Sequence, residues 1–254
     1  MGSFLTLAFA FLGAIIASFM GVVVARLYTG QSFLKGHSRC DACGVPLTPG
    51  ALVPVISFIV SRGRARCCGA RISALSPVSE LTLGVLFAVA YTRLGLISAL
   101  PLMLVALSLL LALVLYDLQH QILPPPLLYA FLGISAVTGV LTSASMQEFQ
   151  QTVLIASAIA FSLFAIHAFS RGRAMGFADA PLALALALLV GPLALSGFVY
   201  SFWIGAVVGI VLLLRRPKGS RMGVEVPFAP FLACGFLLAY CTQWNLFTLI
   251  AALP

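Results

Sequence analysis

Apolar runs of membrane-spanning length recur along this chain and leave little room for a water-soluble fold. A spanning helix needs about 20 predominantly apolar residues. Eight segments reach or approach that length: 4–25, 78–91, 96–116, 127–141, 152–169, 182–195, 198–214 and 231–253. The second, fourth and sixth are short, which predicts tilt, extension at their ends or partial re-entry. Only 8% of the 254 residues are charged and 62% are hydrophobic, against roughly 25% charged in soluble domains. Most of the surface must therefore face lipid.

Eight spans put both termini on one side of the bilayer. The loops near 26–77, 117–126, 170–181 and 215–230 then share the other side, and they hold every one of the 14 Lys and Arg except Arg93. Cations concentrate in cytoplasmic loops, so both termini are expected outside the cytoplasm, and seven or nine spans would scatter the cations. The first segment has no Lys or Arg before its apolar core and has cations after it, the reverse of a signal peptide; it reads as a retained helix. The net charge of +8 fits topology and anionic headgroups. No aromatic–basic interleaving points to nucleic acid. The expected fold class is all-α, a polytopic membrane helix bundle of about eight transmembrane helices with one small cysteine-containing cytoplasmic loop domain. The divisions are a first transmembrane helix at 1–25, the loop domain at 26–77 and a seven-helix membrane core at 78–254.

The loop domain carries Cys40 and Cys43 in a C-x-x-C, and later Cys67 and Cys68 side by side before Gly69. Four thiolates or imidazoles in tetrahedral array suit zinc, and a reducing cytoplasm disfavours a structural disulfide. A second C-x-x-C would need cysteine at 65, where Ala65 stands, and adjacent cysteines do not easily converge on one metal. The open alternatives are three cysteines with His37 or water, a strained site that uses Cys67, or no metal. Cys234 and Cys241 are expected to be packing residues of the last span.

The chain has six acids. Asp41, Glu148 and Glu225 read as solvated loop groups. Glu80, Asp117 and Asp179 sit at the cytoplasmic ends of apolar spans, where an ionisable group is costly unless paired or wetted. Three at one depth point to a site. Asp117 closes a helix ahead of Pro124, Pro125 and Pro126; Asp179 precedes Pro181 and is expected to cap a new helix. Two carboxyls that share one water divide into an acid and a base, the chemistry of an aspartic protease. Asp179 is expected to be the base and Asp117 the protonated partner. His120 reads as an interfacial residue and His167 as a hydrogen-bonded interior histidine.

Taken together, the motifs resemble those of the prepilin peptidases, the type IV leader peptidases of bacterial inner membranes with a GxGD-type aspartic site. Residues 17–23 (ASFMGVV) resemble the first-helix G-S-F-x-N-V-V. Residues 38–44 and 62–73 resemble the cysteine loop, and 76–81 (SPVSEL) the Y-P-x-x-E-L stretch. Residues 117–124 (DLQHQILP) resemble D-x-D-H-x-x-L-P, 175–179 (MGFAD) resemble M-G-x-G-D, and 227–231 (PFAPF) resemble P-F-G-P-F. The resemblance implies that Asp117 and Asp179 are catalytic. It implies a cut after glycine in the leader of pilin or pseudopilin precursors at the cytoplasmic face, and, in many members, S-adenosylmethionine-dependent N-methylation of the new terminus. Ala178 and Ala229 stand where the family has glycines, Pro181 where it often has lysine, Gln119 where it has a second aspartate and Ala65 where it has cysteine. If position 178 needs positive φ or close backbone approach, alanine costs about 1 kcal/mol or more there. The competing readings are a weakened or inactive member, a proton-coupled transporter and a non-catalytic scaffold. Transporters tend to show repeated halves with midplane acids, a pattern absent from this sequence.

Overall fold

The computed structural model describes residues 2–29, 32, 39–40, 42–48, 50, 53–215 and 227–247. His37, Asp41, Glu225, Lys35, Arg216, Lys218 and Arg221 lie outside the described residues, as does the 248–253 end of the last expected span. The described chain folds as α1 (Gly2–Arg26), α2 (Ile56–Val60), α3 (Leu75–Leu94), α4 (Ala99–His120), α5 (Pro125–Thr142), α6 (Met146–Ser170), α7 (Asp179–Val190), α8 (Ala194–Arg215) and α9 (Ala229–Thr242). Among the described residues no strand forms, only two isolated bridges in the cysteine loop.

Among the described residues six helical stretches are long and apolar enough to cross a membrane, and the chain is a multi-pass membrane protein. One of the six runs from α7 through α8 across a single 3₁₀ turn at Gly191–Leu193. Each expected apolar segment is matched by a helix. The short second and fourth segments lengthen to 20 and 18 residues as α3 and α5. The sixth does not lengthen: α7 has 12 residues, about 18 Å at the helical rise, against a hydrocarbon thickness of about 30 Å. It also starts and stops earlier than the apolar run suggests, because Gly191 (φ 69°, ψ −131°) breaks the helix before Pro192. α9 is likewise short at 14 residues.

The chain divides into two compact units, Met1–Leu100 and Pro101–Pro254. In the first, α1 packs along α3, and the rings of Phe9 and Tyr91 stack at 4.8 Å. The opposite face of α1 leaves Phe4 75% and Leu7 69% exposed, as an apolar face does when lipid is the solvent. The backbone N–H of Val55, just ahead of α2, donates to Glu80 on α3 at 2.7 Å.

In the second unit α7 is the central helix. All its residues but Pro181 and Leu184 are buried, and α5, α6, α8 and α9 pack around it. A helix apolar on every side belongs in an interior, and its alanines let neighbouring backbones come close, as small residues do in membrane bundles. α5 comes close to α7 at Gly139, where a Cβ would lie 2.6 Å from the carbonyl oxygen of Leu188. α8 and α9 are joined by Ser201 Oγ, which donates to the carbonyl of Leu232 at 3.2 Å.

The α5–α7 approach is testable. Gly139→Val forces two backbones apart and should cost about 1–3 kcal/mol of stability, the range for overpacking. Gly133→Ala, on the same helix with nothing within 4 Å of its Cβ, should leave stability unchanged or slightly higher. Reversible unfolding in mixed micelles measures both.

Candidate active site and cysteine cluster

Asp117 reaches the interior because it continues an apolar stripe. Met103, Ala106, Leu107, Leu110 and Leu113 are buried on α4, at the three- and four-residue spacing that puts them on one face. Asp117 is the next member and is 6% exposed. It lies in the last turn of α4, as its sequence context suggests; the N–H of Gln121, with φ 55°, donates to its carbonyl at 2.8 Å as the helix ends. The chain then restarts at α5 through Pro124, Pro125 and Pro126. Among the described residues, Asp117 Oδ2 is buried without a hydrogen-bond partner. The backbone N–H of Ala229, in the first turn of α9, faces the carboxylate.

Asp179 is 7% exposed and opens α7. The expected cap is displaced by one residue: Ala178 is the N-cap, with no side-chain bond, and Asp179 is the first helical residue. Its carboxylate turns back instead, and Oδ2 accepts the N–H of Gly176 at 3.1 Å. Pro181 sits in the first turn, where its missing N–H costs little. Both aspartates belong to the second unit, and the charge of Asp117 is felt at Asp179.

The glycine replacements look different in this geometry. Ala178 has φ −70° and ψ −15°, an ordinary helical conformation, so the position does not require positive φ. Ala229 is buried at 1% and is absent from the positive-φ residues.

Glu80, the third acid at a span end, belongs to the other unit and is engaged there. It is 5% exposed; Oε2 accepts from Val55 N–H at 2.7 Å and Oε1 from Ser76 Oγ at 3.4 Å. Val55 needs that support, since a β-branched residue at φ 60° is strained. His120 is exposed at the end of α4, its ring 4.4 Å from that of Tyr116. His167 Nδ1 lies 2.9 Å from the carbonyl oxygen of Met175, so it is hydrogen-bonded as expected. That it reaches the loop delivering Asp179 has no sequence signal, since the acceptor is backbone. Cys234 is exposed on α9 and does not pack into the interior; Cys241 is half-buried.

The four loop cysteines converge. Their Sγ atoms all lie within 4.8 Å of one another, with Cys40–Cys68 at 3.8 Å, Cys43–Cys67 at 3.3 Å and Cys67–Cys68 at 3.9 Å. A tetrahedral zinc with Zn–S bonds of about 2.3 Å needs sulfur–sulfur edges of about 3.8 Å. The cluster fits a metal of that kind, and the difficulty expected for adjacent Cys67 and Cys68 does not arise. The reason is a repeated backbone frame. Cys40 N–H donates to Val45 O at 2.9 Å and Gly44 N–H to Cys40 O at 2.8 Å. Ala65 N–H donates to Ala70 O and Gly69 N–H to Ala65 O, both at 2.8 Å. Gly44 and Gly69 share φ 71°, and the bridges Arg39–Pro46 and Arg64–Arg71 close the two turns. In this frame Cys68 is the counterpart of Cys43 and Ala65 the counterpart of Cys40. Cys67, two residues further on, takes over the sulfur that position 65 lacks. The backbone N–H groups of Cys43 and Ala42 lower the Cys40 thiol to about 7. The hydrogen bond with Cys43, and then that with Cys40, pushes Cys67 up to about 12. Metal ligation requires the thiolate, so the Cys40 sulfur is poised for it and Cys67 would give up its proton on binding.

The molecule is a helical membrane protein with a pair of interior carboxyls at helix ends and a four-cysteine loop. Residues 11–94 match the bacterial peptidase A24 N-terminal domain, and residues 104–214 match the type IV leader peptidase family. Similar relatives include the prepilin leader peptidase/N-methyltransferase of Bacillus subtilis, 31% identical over 237 residues and covering 93% of each chain. The Klebsiella pneumoniae protein of that name is 33% identical over 206 residues, 75% of this chain and 85% of that one. The Myxococcus xanthus protein is 34% identical over 216 residues, 82% of this chain and 63% of that one. No solved structure matches. The chain belongs to the type IV leader peptidase family and is by that membership a peptidase.

Because Ala178 is already helical, Ala178→Gly should change peptidase turnover by less than about threefold, backbone entropy being the only term that moves. A gain of tenfold or more in leader cleavage would show that the methyl group itself obstructs the site.

Proposed function

We propose that this protein is an intramembrane aspartic endopeptidase that removes the leader from type IV prepilins or pseudopilins, with Asp117 and Asp179 as its catalytic pair. The observation that carries this reading is the pair itself: two nearly fully buried carboxyls, at the end of α4 and the start of α7, with Asp179 inside the electrostatic reach of Asp117. Like charges that close cannot both remain ionised in an apolar interior. Each carboxyl faces one backbone N–H, Gly176 for Asp179 Oδ2 and Ala229 for Asp117; the remaining oxygen of Asp117, Oδ2, has no partner among the described residues and is open to carry the shared proton.

In the cycle, Asp179 takes a proton from water as the oxygen adds to the scissile carbonyl carbon. Asp117 gives its proton to the carbonyl oxygen, forming a neutral gem-diol. Asp179 then passes its proton to the leaving nitrogen as the C–N bond breaks, and Asp117 recovers a proton from the diol. Each step is general acid–base catalysis, worth about 10²–10⁴-fold. The loop cations, all but one of the 14 in one set of loops, support a bacterial inner-membrane protein with both termini periplasmic and the active site at the cytoplasmic face. There a basic leader ending in glycine precedes the hydrophobic pilin helix.

We extend two further properties to this chain. The relatives' shared name includes N-methyltransferase, which implies S-adenosylmethionine; the described residues form no glycine-rich dinucleotide-type unit, and no residue is assigned to that cofactor. The cysteine geometry supports a structural zinc held by Cys40, Cys43, Cys67 and Cys68. Such a metal contributes folding free energy to a loop too small for a core of its own.

Two experiments test these readings. Asp117→Asn and Asp179→Asn should each lower leader cleavage of a prepilin in detergent or membranes by about 10³-fold while the protein remains folded; full activity in either variant would sink the mechanism. Zinc content should be one per chain in the parent and fall well below half in Cys40→Ser and Cys67→Ser. The double variant Ala65→Cys with Cys67→Ala should restore it, because position 65 is the frame counterpart of Cys40. Full zinc in Cys67→Ser would place the fourth ligand elsewhere, at His37 or water.

A further inference from the structure

The segment 171–178 between α6 and α7 delivers Asp179, and one side chain outside it holds it in place. α6 ends with Arg171 in the left-handed region, at φ 53° and ψ 41°, and the N–H of Gly172 donates to His167 O at 2.9 Å. The imidazole of the same His167 turns toward the other end of the segment. Its Nδ1 is 2.9 Å from the carbonyl oxygen of Met175. A carbonyl only accepts, so Nδ1 carries the hydrogen. The ring also meets Phe177 edge-on, with centroids 5.8 Å apart and planes at 69°. Phe177 in turn packs edge-on against Phe164 of α6, at 6.2 Å. His167 therefore touches the residues on both sides of Gly176, and Gly176 is the residue whose N–H holds Asp179 Oδ2 at 3.1 Å.

We propose that His167 is a positioning residue, whose Nδ1–H bond to the Met175 carbonyl sets the 175–178 turn so that the Gly176 N–H aims the Asp179 carboxylate at Asp117. The proposal rests on the reading of Asp179 as catalytic for its effect on cleavage, though not for its effect on the turn. His167 does not touch substrate. On the turn it acts through one backbone carbonyl, one ring contact and one N–H, and its ring also lies within electrostatic reach of Asp179. Misplacement of a reacting group by about 1 Å costs on the order of 10²-fold, so a single bond at this point carries weight out of proportion to its strength.

The test uses three variants of the full-length protein in detergent. His167→Asn places an amide N–H where Nδ1 stood. His167→Gln places it one bond further out, and His167→Leu removes it while filling the space. With a prepilin substrate, kcat should fall about 10–100-fold in His167→Leu and His167→Gln, with KM unchanged, and should stay within about threefold of the parent in His167→Asn. Amide hydrogen exchange at Gly176 is read in the same samples. It should be at least tenfold faster in the Leu and Gln variants and unchanged in Asn. Equal loss in all three variants would overturn the proposal, because the ring rather than the Nδ1–H would then matter. Unchanged exchange at Gly176 in His167→Leu would overturn it as well. Asp179→Asn run alongside separates the two ideas. If that variant still cleaves while Gly176 exchange follows the expected order, the positioning of the turn stands and the catalytic reading falls.

Discussion

Two carboxyl groups stand in the interior of a helical bundle whose solvent is lipid, and the rest of the second unit is arranged around that cost. A charge at membrane depth costs several kcal/mol unless it is paired, hydrogen-bonded or wetted. Asp179 meets the requirement with a backbone N–H from its own turn. Asp117 has one oxygen without a partner among the described residues, and in the proposed mechanism that unfilled acceptor is where water and substrate would sit. The same feature would be a defect in a scaffold.

What was legible in the sequence follows from how local each signal is. Asp117 was legible because a stripe of three- and four-residue spacing runs into it from Met103, and the prolines that follow mark the helix end. Asp179 was legible as a helix start, but the choice of cap was wrong by one residue. Capping preferences describe a side chain that bonds forward to the N–H groups of the first turn, whereas this carboxylate bonds back to Gly176. The end of α7 was blurred because the leucine and alanine run continues past Val190, and only the backbone of Gly191 interrupts it. Ala178 invited doubt because the family pattern has glycine there; its dihedral angles remove the conformational part of that doubt, which no single sequence can do.

The cysteine loop teaches the opposite lesson about spacing. Read linearly, Ala65 is a missing ligand and Cys67 an awkward neighbour. Read through hydrogen bonds, residues 40–45 and 65–70 are two copies of one turn, and the question becomes which positions of that turn can aim a sulfur at a common point. Both the first and the third position can: Cys40 does so in one copy and Cys67 in the other, with Cys43 and Cys68 in the equivalent fourth position. A tetrahedron constrains the sulfurs and not the chain order, so a ligand can shift by two residues within a turn without losing the site.

The shortness of α7 can be understood in the same physical terms. At 12 residues the helix lies among α5, α6, α8 and α9, and its first turn is buried except at Pro181, the Asp179 carboxylate included. The amino end of a helix carries partial positive charge, and here two such ends, those of α7 and α9, meet the two acids: Asp179 is the first residue of one, and Ala229 in the first turn of the other faces Asp117. The carboxyl end of α4 contributes the opposing field at Asp117. The two acids therefore sit in unlike fields, one at a helix start with its own N–H, the other between a helix end and a helix start. Identical side chains in unlike fields can divide the roles of base and acid between them.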